Sequence, residues 1–320
     1  MLGLIKRPPP QPPPLSKLPP IGQLYVFGAM ALGLAILLAL QQAPRKGNSA
    51  RWLPPVGNTL MGEKRSYEVW VLKYSVFWMA TFAAIVVFQL YESFSATTYF
   101  VVCGGLAAPL ILHEVLQGNQ LRQRPWAARH GVRAQLWIAI FGFIGNYWYT
   151  HYFYCVLRAR YTMPAWRLND VPIAMYFATH FYFSSYHVFS NLVLRRVSTG
   201  FAPGRLRSAL LLYVVCTLAY VTAFMETFTI SHFPYYDFED RDMAYTIGSA
   251  FYGLYFVVSF PVYFGLDEVG VSPLEGAGLA GVALSSLGSG MLVLFLLDLT
   301  RLAFTGTPLT IGGAIWKITP

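Results

Sequence analysis

The sequence predicts an all-α fold: a polytopic transmembrane helical bundle of seven core spans, with a candidate eighth at the N-terminus. Three observations predict it. The 320 residues are 56% hydrophobic and 17% aromatic but only 12% charged, about half the ~25% of a soluble domain. The charges fall between long apolar runs rather than being spread evenly. Those runs approach or exceed the roughly 20 residues that a helix needs to cross hydrocarbon. In lipid a chain must satisfy its backbone internally, so such runs are helices, and the alternating segments of a transmembrane barrel do not occur.

Taken in order, residues 1–22 hold Pro8-Pro9-Pro10 and Pro12-Pro13-Pro14, a composition that favours extended polyproline and a disordered terminus. The apolar run Tyr25 to Leu40 follows; at 16 residues it is marginal for a span and reads equally as a signal-anchor or targeting segment. Residues 23–69 comprise that run and a basic linker with Arg45, Lys46, Arg51, Lys64 and Arg65. The membrane domain covers 70–304, with spans near 70–91, 99–116, 134–157, 172–194, 208–232, 244–264 and 277–304. Residues 305–320 form a C-terminal tail.

Loop charge sets the orientation. Arg122, Arg124, Arg129 and Arg133 lie in one loop, and Arg195, Arg196, Arg205 and Arg207 in another. Both belong with the basic linker on the cytosolic side. The opposite side receives the acidic stretch Asp237 to Asp242. One loop disagrees: residues 265–275 fall on the cytosolic side yet carry Asp267, Glu268 and Glu275.

Several function classes drop out. The net charge of +9 sits at helix ends, where anionic lipid headgroups explain it better than nucleic acid does. Cys103, Cys155 and Cys216 lie in apolar segments, too widely spaced for a zinc site or disulfide framework, and read as small buried hydrophobes. Gly276-Ala-Gly278-Leu-Ala-Gly281 fits a dinucleotide-loop pattern, but no strand precedes it. Ala277, Gly281, Ser285 and Ser289 instead make a small-residue stripe for close helix packing.

Polar groups inside spans carry the functional information. His151, His180, Glu226 and Asp298 each lie six to eight residues from the non-cytosolic end of their own span, a depth of roughly 9–12 Å at ~1.5 Å per residue. Four ionisable groups on four helices thus fall in one layer, from which a single cavity is expected. His187 and Asn191 share a helix face with His180. The bland readings differ. Asp298 precedes Arg301 by three residues and reads first as a helical ion pair. His187 has Asn191 or a backbone carbonyl for a partner, whereas Glu226 has no cation within a turn. Glu92 and Glu114 lie near helix ends and read as interfacial.

From about Trp52 to Phe304 the chain resembles the cycloeucalenol cycloisomerases, or cyclopropyl sterol isomerases, of plants and algae. The resemblance rests on Leu90-Tyr91-Glu92-Ser93-Phe94, Gly145-Asn146-Tyr147, Thr150-His151-Tyr152-Phe153, Thr179-His180, Tyr186-His187-Val188, Ser190-Asn191 and Leu194-Arg195-Arg196. It continues through Phe233-Pro234-Tyr235-Tyr236, Asp240-Arg241, Val258-Ser259-Phe260-Pro261 and Asp267-Glu268. The Pro-rich start, the apolar run before Leu40, His113-Glu114 and His232 depart from the family pattern.

The resemblance implies a redox-neutral isomerisation at the endoplasmic reticulum: opening the cyclopropane ring of a 9β,19-cyclosterol, cycloeucalenol, to give obtusifoliol. No cofactor and no metal are implied; the partners are the sterol and membrane lipid, with no nucleic acid and an open oligomeric state. Ring opening needs a proton on the cyclopropane methylene carbon, a tolerated cation, and loss of a neighbouring proton. Glu226 in an apolar cavity suits the acid, with His151, His180 or His187 as base or relay; the reverse assignment is open. Asn146, Tyr147, Trp148, Tyr182, Asn191, Tyr235 and Tyr236 are the candidate substrate-binding residues, with aromatic faces stabilising the cation. A double-bond-shifting sterol isomerase and a non-catalytic sterol-binding protein are the alternatives. A di-iron desaturase would need several close His pairs, and the six histidines do not supply them.

Overall fold

Every helix except the first makes its main contacts inside one antiparallel, up-and-down bundle. The computed structural model describes residues 21–42, 50–57, 60–116, 124–155, 159–231, 233–239, 241, 244–268, 274, 277–303, 309–311 and 314–316. Among them are the helices α1 (Ile21–Gln42), α2 (Leu60–Val87), α3 (Ala96–Leu116) and α4 (His130–Cys155), then α5 (Ile173–Gly200), α6 (Arg205–Ser231), α7 (Ser249–Phe264) and α8 (Leu279–Ala303). A π-helical turn, Ala244–Gly248, leads into α7. Of the regions expected from the sequence, the Pro-rich residues 1–20, His232 and Glu275 lie outside the described residues.

Four helices, α2, α3, α6 and α8, are long and apolar enough to cross a membrane. Helix α5 is as long but more polar, and its position explains it. Helix α5 packs against α2, α3, α4, α6 and α7, so it meets protein where the others meet lipid. It buries His180, Ser184, Ser185, His187, Ser190, Asn191 and Arg195. Between helices in a membrane there is no hydrophobic driving force, so hydrogen bonds and close packing hold them together. Ser75 on α2 bonds Ser185 at 2.7 Å, and Trp78 donates its indole N–H to Ser185 at 2.9 Å.

Two helices extend furthest beyond the spans expected from the sequence. Helix α2 begins at Leu60 rather than near residue 70, and α5 continues to Gly200 rather than stopping near residue 194. The cause is a buried ionic cluster that draws charges into the bundle. Arg195 bridges two carboxylates, with Nη2 2.8 Å from Glu68 and 2.7 Å from Glu268. Lys64 lies 2.8 Å from Glu268 and donates to the carbonyls of Phe264 and Leu266 at the end of α7. Asn191 donates to Glu68 at 3.0 Å. Beside them His130 and Arg133 both bond Asp267, at 2.7 and 2.9 Å. Asp267 and Glu268 are thus internal partners rather than loop charge, which removes the disagreement that residues 265–275 posed for loop-charge counting.

Helix α8 lies along α4. The buried face is Val282, Ser286, Ser289, Gly290, Val293 and Leu297, turned by about one position from the stripe expected from Ala277, Gly281, Ser285 and Ser289. Ser286 donates to the carbonyl of Trp137 at 2.8 Å. A Cβ on Gly290 would approach two carbons of Ile144 to 3.0 Å. Gly290→Ala is expected to cost about 1–3 kcal/mol through overpacking, measured as a lower melting temperature in detergent. An unchanged melting temperature would mean that Ile144 swings aside freely.

Helix α1 covers α6 from outside, with Phe27 edge-on to Phe224 and Phe228 at centroid separations of 5.1 and 5.6 Å. Cys103 is buried as expected, but Cys216 is exposed on α6, and the side chain of Cys155 is not among those described. Glu114, expected at an interface, is buried beside His113. At the end of the bundle away from the ionic cluster, three short strands follow α4: β1 (Ala159–Tyr161), β2 (Arg167–Leu168) and β3 (Val171–Pro172). Strand β4 (Tyr236–Phe238) pairs antiparallel with β1, joining Ala159 to Phe238 and Tyr161 to Tyr236. Strands β2 and β3 form a hairpin whose turn, Asn169-Asp170, has both φ angles positive, as a two-residue primed turn requires.

Candidate active site

A cavity of about 260 Å³, partly open on one side, lies at the end of the bundle opposite the ionic cluster. That is close to the ~300 Å³ lower bound of ordinary small-molecule sites. Its wall takes residues from the C-terminal ends of α2, α4 and α6 and the N-terminal ends of α3, α5 and α7. Strands β1 and β4 cap it through Tyr161, Tyr236 and Phe238. The wall is mostly apolar and aromatic, with Phe82, Tyr91, Phe94, Tyr99, Phe183, Phe233, Phe251 and Tyr255 among its residues.

A single carboxyl group, Glu226 of α6, lies on this wall among the described residues. Tyr252 of α7 donates its hydroxyl to Oε2 of Glu226 at 2.8 Å, and Tyr186 of α5 interacts electrostatically with the same carboxyl group. Three helices therefore converge on one side chain. Asn146 and Thr179 meet across α4 and α5, with the Thr179 hydroxyl donating to Asn146 Oδ1 at 3.3 Å. The Asn146 amide in turn donates to the carbonyl of Gly142 at 2.8 Å. Tyr182 sits against Trp78, with ring centroids 4.5 Å apart. Tyr236 donates to the sulfur of Met175 at 3.3 Å. Burial pushes its phenol well above the ordinary tyrosine value, so it stays a neutral donor.

Of the residues singled out in the sequence, Asn146, Tyr182, Glu226 and Tyr236 lie on the cavity wall. His180 and His187 do share a face of α5, but that face turns toward α2, α4 and α7. His180 Nε2 meets Oε1 of Gln135 at 2.6 Å, and Gln135 donates onward to Tyr67. His187 is held between the carbonyl of Phe183 at 2.7 Å and the hydroxyl of Ser259 at 2.9 Å. Asn191 continues that face into the ionic cluster. Tyr235 packs behind the wall against Tyr91 and Tyr99, Tyr147 stacks on Phe143, and Trp148 is 48% exposed. Asp298 is exposed on α8, so the expected layer of four does not close into one cavity. The side chain of His151 lies outside those described.

Sequence reasoning passed over Tyr252, Tyr186, Thr179 and Cys103. A signal for Tyr252 was present: it lies eight residues into the segment beginning at Ala244, close to the six that separate Glu226 from the end of its span. Among the described residues no three His, Cys, Asp or Glu side chains are grouped to hold a metal ion. The site is suited to moving a proton: one carboxyl group, a phenolic donor holding it, and an apolar aromatic chamber.

No protein-family model matches the chain, and no solved structure matches it. The cycloeucalenol cycloisomerase of Arabidopsis thaliana is 40% identical over 255 residues, covering 78% of this chain and 88% of the relative. Identity at that level over nearly the whole relative leaves the fold and most of the cavity-forming chain inside the shared region. The chain belongs to the cycloeucalenol cycloisomerase family.

Proposed function

We propose that this isomerase opens the cyclopropane ring of cycloeucalenol to give obtusifoliol, with Glu226 carrying the proton. The observation that carries the reading is the 40% identity to the Arabidopsis thaliana cycloeucalenol cycloisomerase across most of both chains. The cavity supports it chemically. The proton adds to the cyclopropane methylene carbon, whose bond to the quaternary ring carbon supplies the electron pair. Positive charge is left on that ring carbon. Loss of hydrogen from the adjoining ring carbon then supplies the electrons of the new double bond, and no oxidant or reductant is needed.

A carboxyl group in an apolar chamber suits the first step, because exclusion of water strengthens every charge interaction there. Tyr182, Tyr236 and the Phe faces of the wall suit the second, since a ring face over a dry cation is worth about 2 kcal/mol. Asn146 and Thr179 supply a polar point for the sterol hydroxyl. Apolar Phe82, Ile85 and Val86 of α2 line the flank on which a substrate dissolved in lipid is received.

We read α2 to α8 as seven membrane spans, with the cavity on the lumenal side of the endoplasmic reticulum and the ionic cluster toward the cytosol. The up-and-down alternation and the Arg-rich loops beside the ionic cluster support this. Membranes from yeast expressing the chain, incubated with cycloeucalenol, are expected to yield obtusifoliol by sterol mass spectrometry. No product in the presence of folded protein would turn the reading to a double-bond isomerase or a sterol-binding protein.

A further inference from the structure

We infer that the carboxyl group of Glu226 serves as both acid and base in one turnover, with Tyr252 and Tyr186 as the positioning residues that hold it between the two steps. The inference rests on the proposed cyclosterol isomerisation. Three observations carry it.

First, among the described residues Glu226 is the single carboxyl or imidazole side chain on the cavity wall. His180 is bonded to Gln135 and His187 to Phe183 and Ser259, all away from the cavity. Second, the carboxyl group is held from two sides. Tyr252 donates at 2.8 Å from α7 and is itself part of the wall. Tyr186 interacts electrostatically with it from α5, outside the wall. After Glu226 has given up its proton, the remaining carboxylate is therefore hydrogen-bonded and fixed rather than bare, ready to receive the next proton. Third, the substrate chemistry asks for no second base. In a 9β,19-cyclosterol the bridging methylene and the hydrogen on the adjoining ring carbon project from the same β face. A carboxylate that has protonated the methylene already faces the hydrogen to be removed.

The balance closes on one residue. The Glu226 O–H bond breaks as the methylene C–H bond forms, and the ring bond to that methylene breaks. The C–H bond of the adjoining ring carbon then breaks, its electrons form the double bond, and its proton returns to Glu226. The enzyme ends each turnover as it began. Transfer of the same proton to the next substrate requires solvent exchange slower than turnover, which the aromatic wall and the phenols around the carboxyl group favour.

The test uses the full chain in lipid nanodiscs and cycloeucalenol carrying deuterium on the ring carbon that loses its hydrogen. The deuteron collected by Glu226 in one turnover is passed to the next substrate, so obtusifoliol is expected to carry deuterium in its new methyl group. Unlabelled substrate in heavy water should accordingly gain less than one deuterium per product. Complete loss of the label to solvent, with one full deuterium gained from heavy water, would overturn the single-carboxyl shuttle while leaving the isomerase reading intact. Absence of obtusifoliol would instead be a failure of the isomerase reading.

Tyr252→Phe removes the phenolic donor and keeps the ring. It is expected to lower kcat about tenfold with KM within twofold, and to retain label transfer. Wild-type kcat would remove Tyr252 from any positioning role. A loss as deep as that of Glu226→Gln would make Tyr252 the proton carrier and overturn the assignment.

Discussion

Glu226→Gln is expected to lower obtusifoliol formation by about a thousandfold or more, roughly 4 kcal/mol of barrier. General acid–base groups typically contribute 10²–10⁴-fold, and a residue serving both proton transfers lies toward the upper part of that range. The substitution is close to isosteric. Its amide oxygen still accepts from Tyr252, whose hydroxyl lies 2.8 Å from the native carboxylate. The variant should therefore fold and still bind the sterol. Binding of a labelled cyclosterol and the melting temperature in detergent separate a lost proton from a lost fold. Equal turnover by wild type and variant would remove Glu226 from the proton path.

The second large effect concerns stability. Arg195 lies between Glu68 and Glu268, with a side chain only 1% exposed. Arg195→Leu would leave two buried carboxylates short of a partner, with Lys64 alone against them. Breaking a buried pair in this way costs about 3–5 kcal/mol, so a large drop in melting temperature or in the yield of folded protein is expected. A variant as stable as wild type would mean that water or a neighbouring cation takes over the site.

The pH dependence has a definite sign. Burial pushes the Glu268 carboxyl up, but Lys64 and Arg195 beside it outweigh burial and hold it below the ordinary carboxylate range. A depressed folded-state value means that this stabilisation is complete above the unfolded value, about 4.3 for Glu. It is lost as pH falls through the folded value. Melting should thus be flat from neutrality to about pH 5 and fall below about pH 4. Glu268→Gln should lower the plateau and blunt that acid limb. An identical acid limb in the variant would assign it to other carboxylates.

Much of this was legible from the sequence. The apolar runs required helices, because lipid offers no partner for an open backbone. Glu226 announced itself by standing in an apolar span without a cation nearby. Its depth, counted in residues from the end of its span, matches its position on the cavity wall. The family motifs identified the chemistry, as the 40% identity to the Arabidopsis thaliana relative bears out.

Depth along a helix is a one-dimensional quantity that spacing supplies, and periodicity further tells which side chains share a face. Neither tells what that face meets. His180, His187 and Asn191 share a face, as their spacing required, yet the packing of α5 turns it onto Gln135, Ser259 and Glu68 rather than the cavity. Lys64 and Arg195 read as linker and loop charge, because partners far apart in sequence cannot be seen there. Only their meeting with Glu268, more than 70 residues from Arg195 and about 200 from Lys64, allows α2 and α5 to carry charge inward. By itself, then, the sequence determined the membrane bundle, the depth of the carboxyl group on the cavity wall and the family. The tertiary structure decided which way each polar face turns, because rotation about a helix axis is set by the neighbours it packs against.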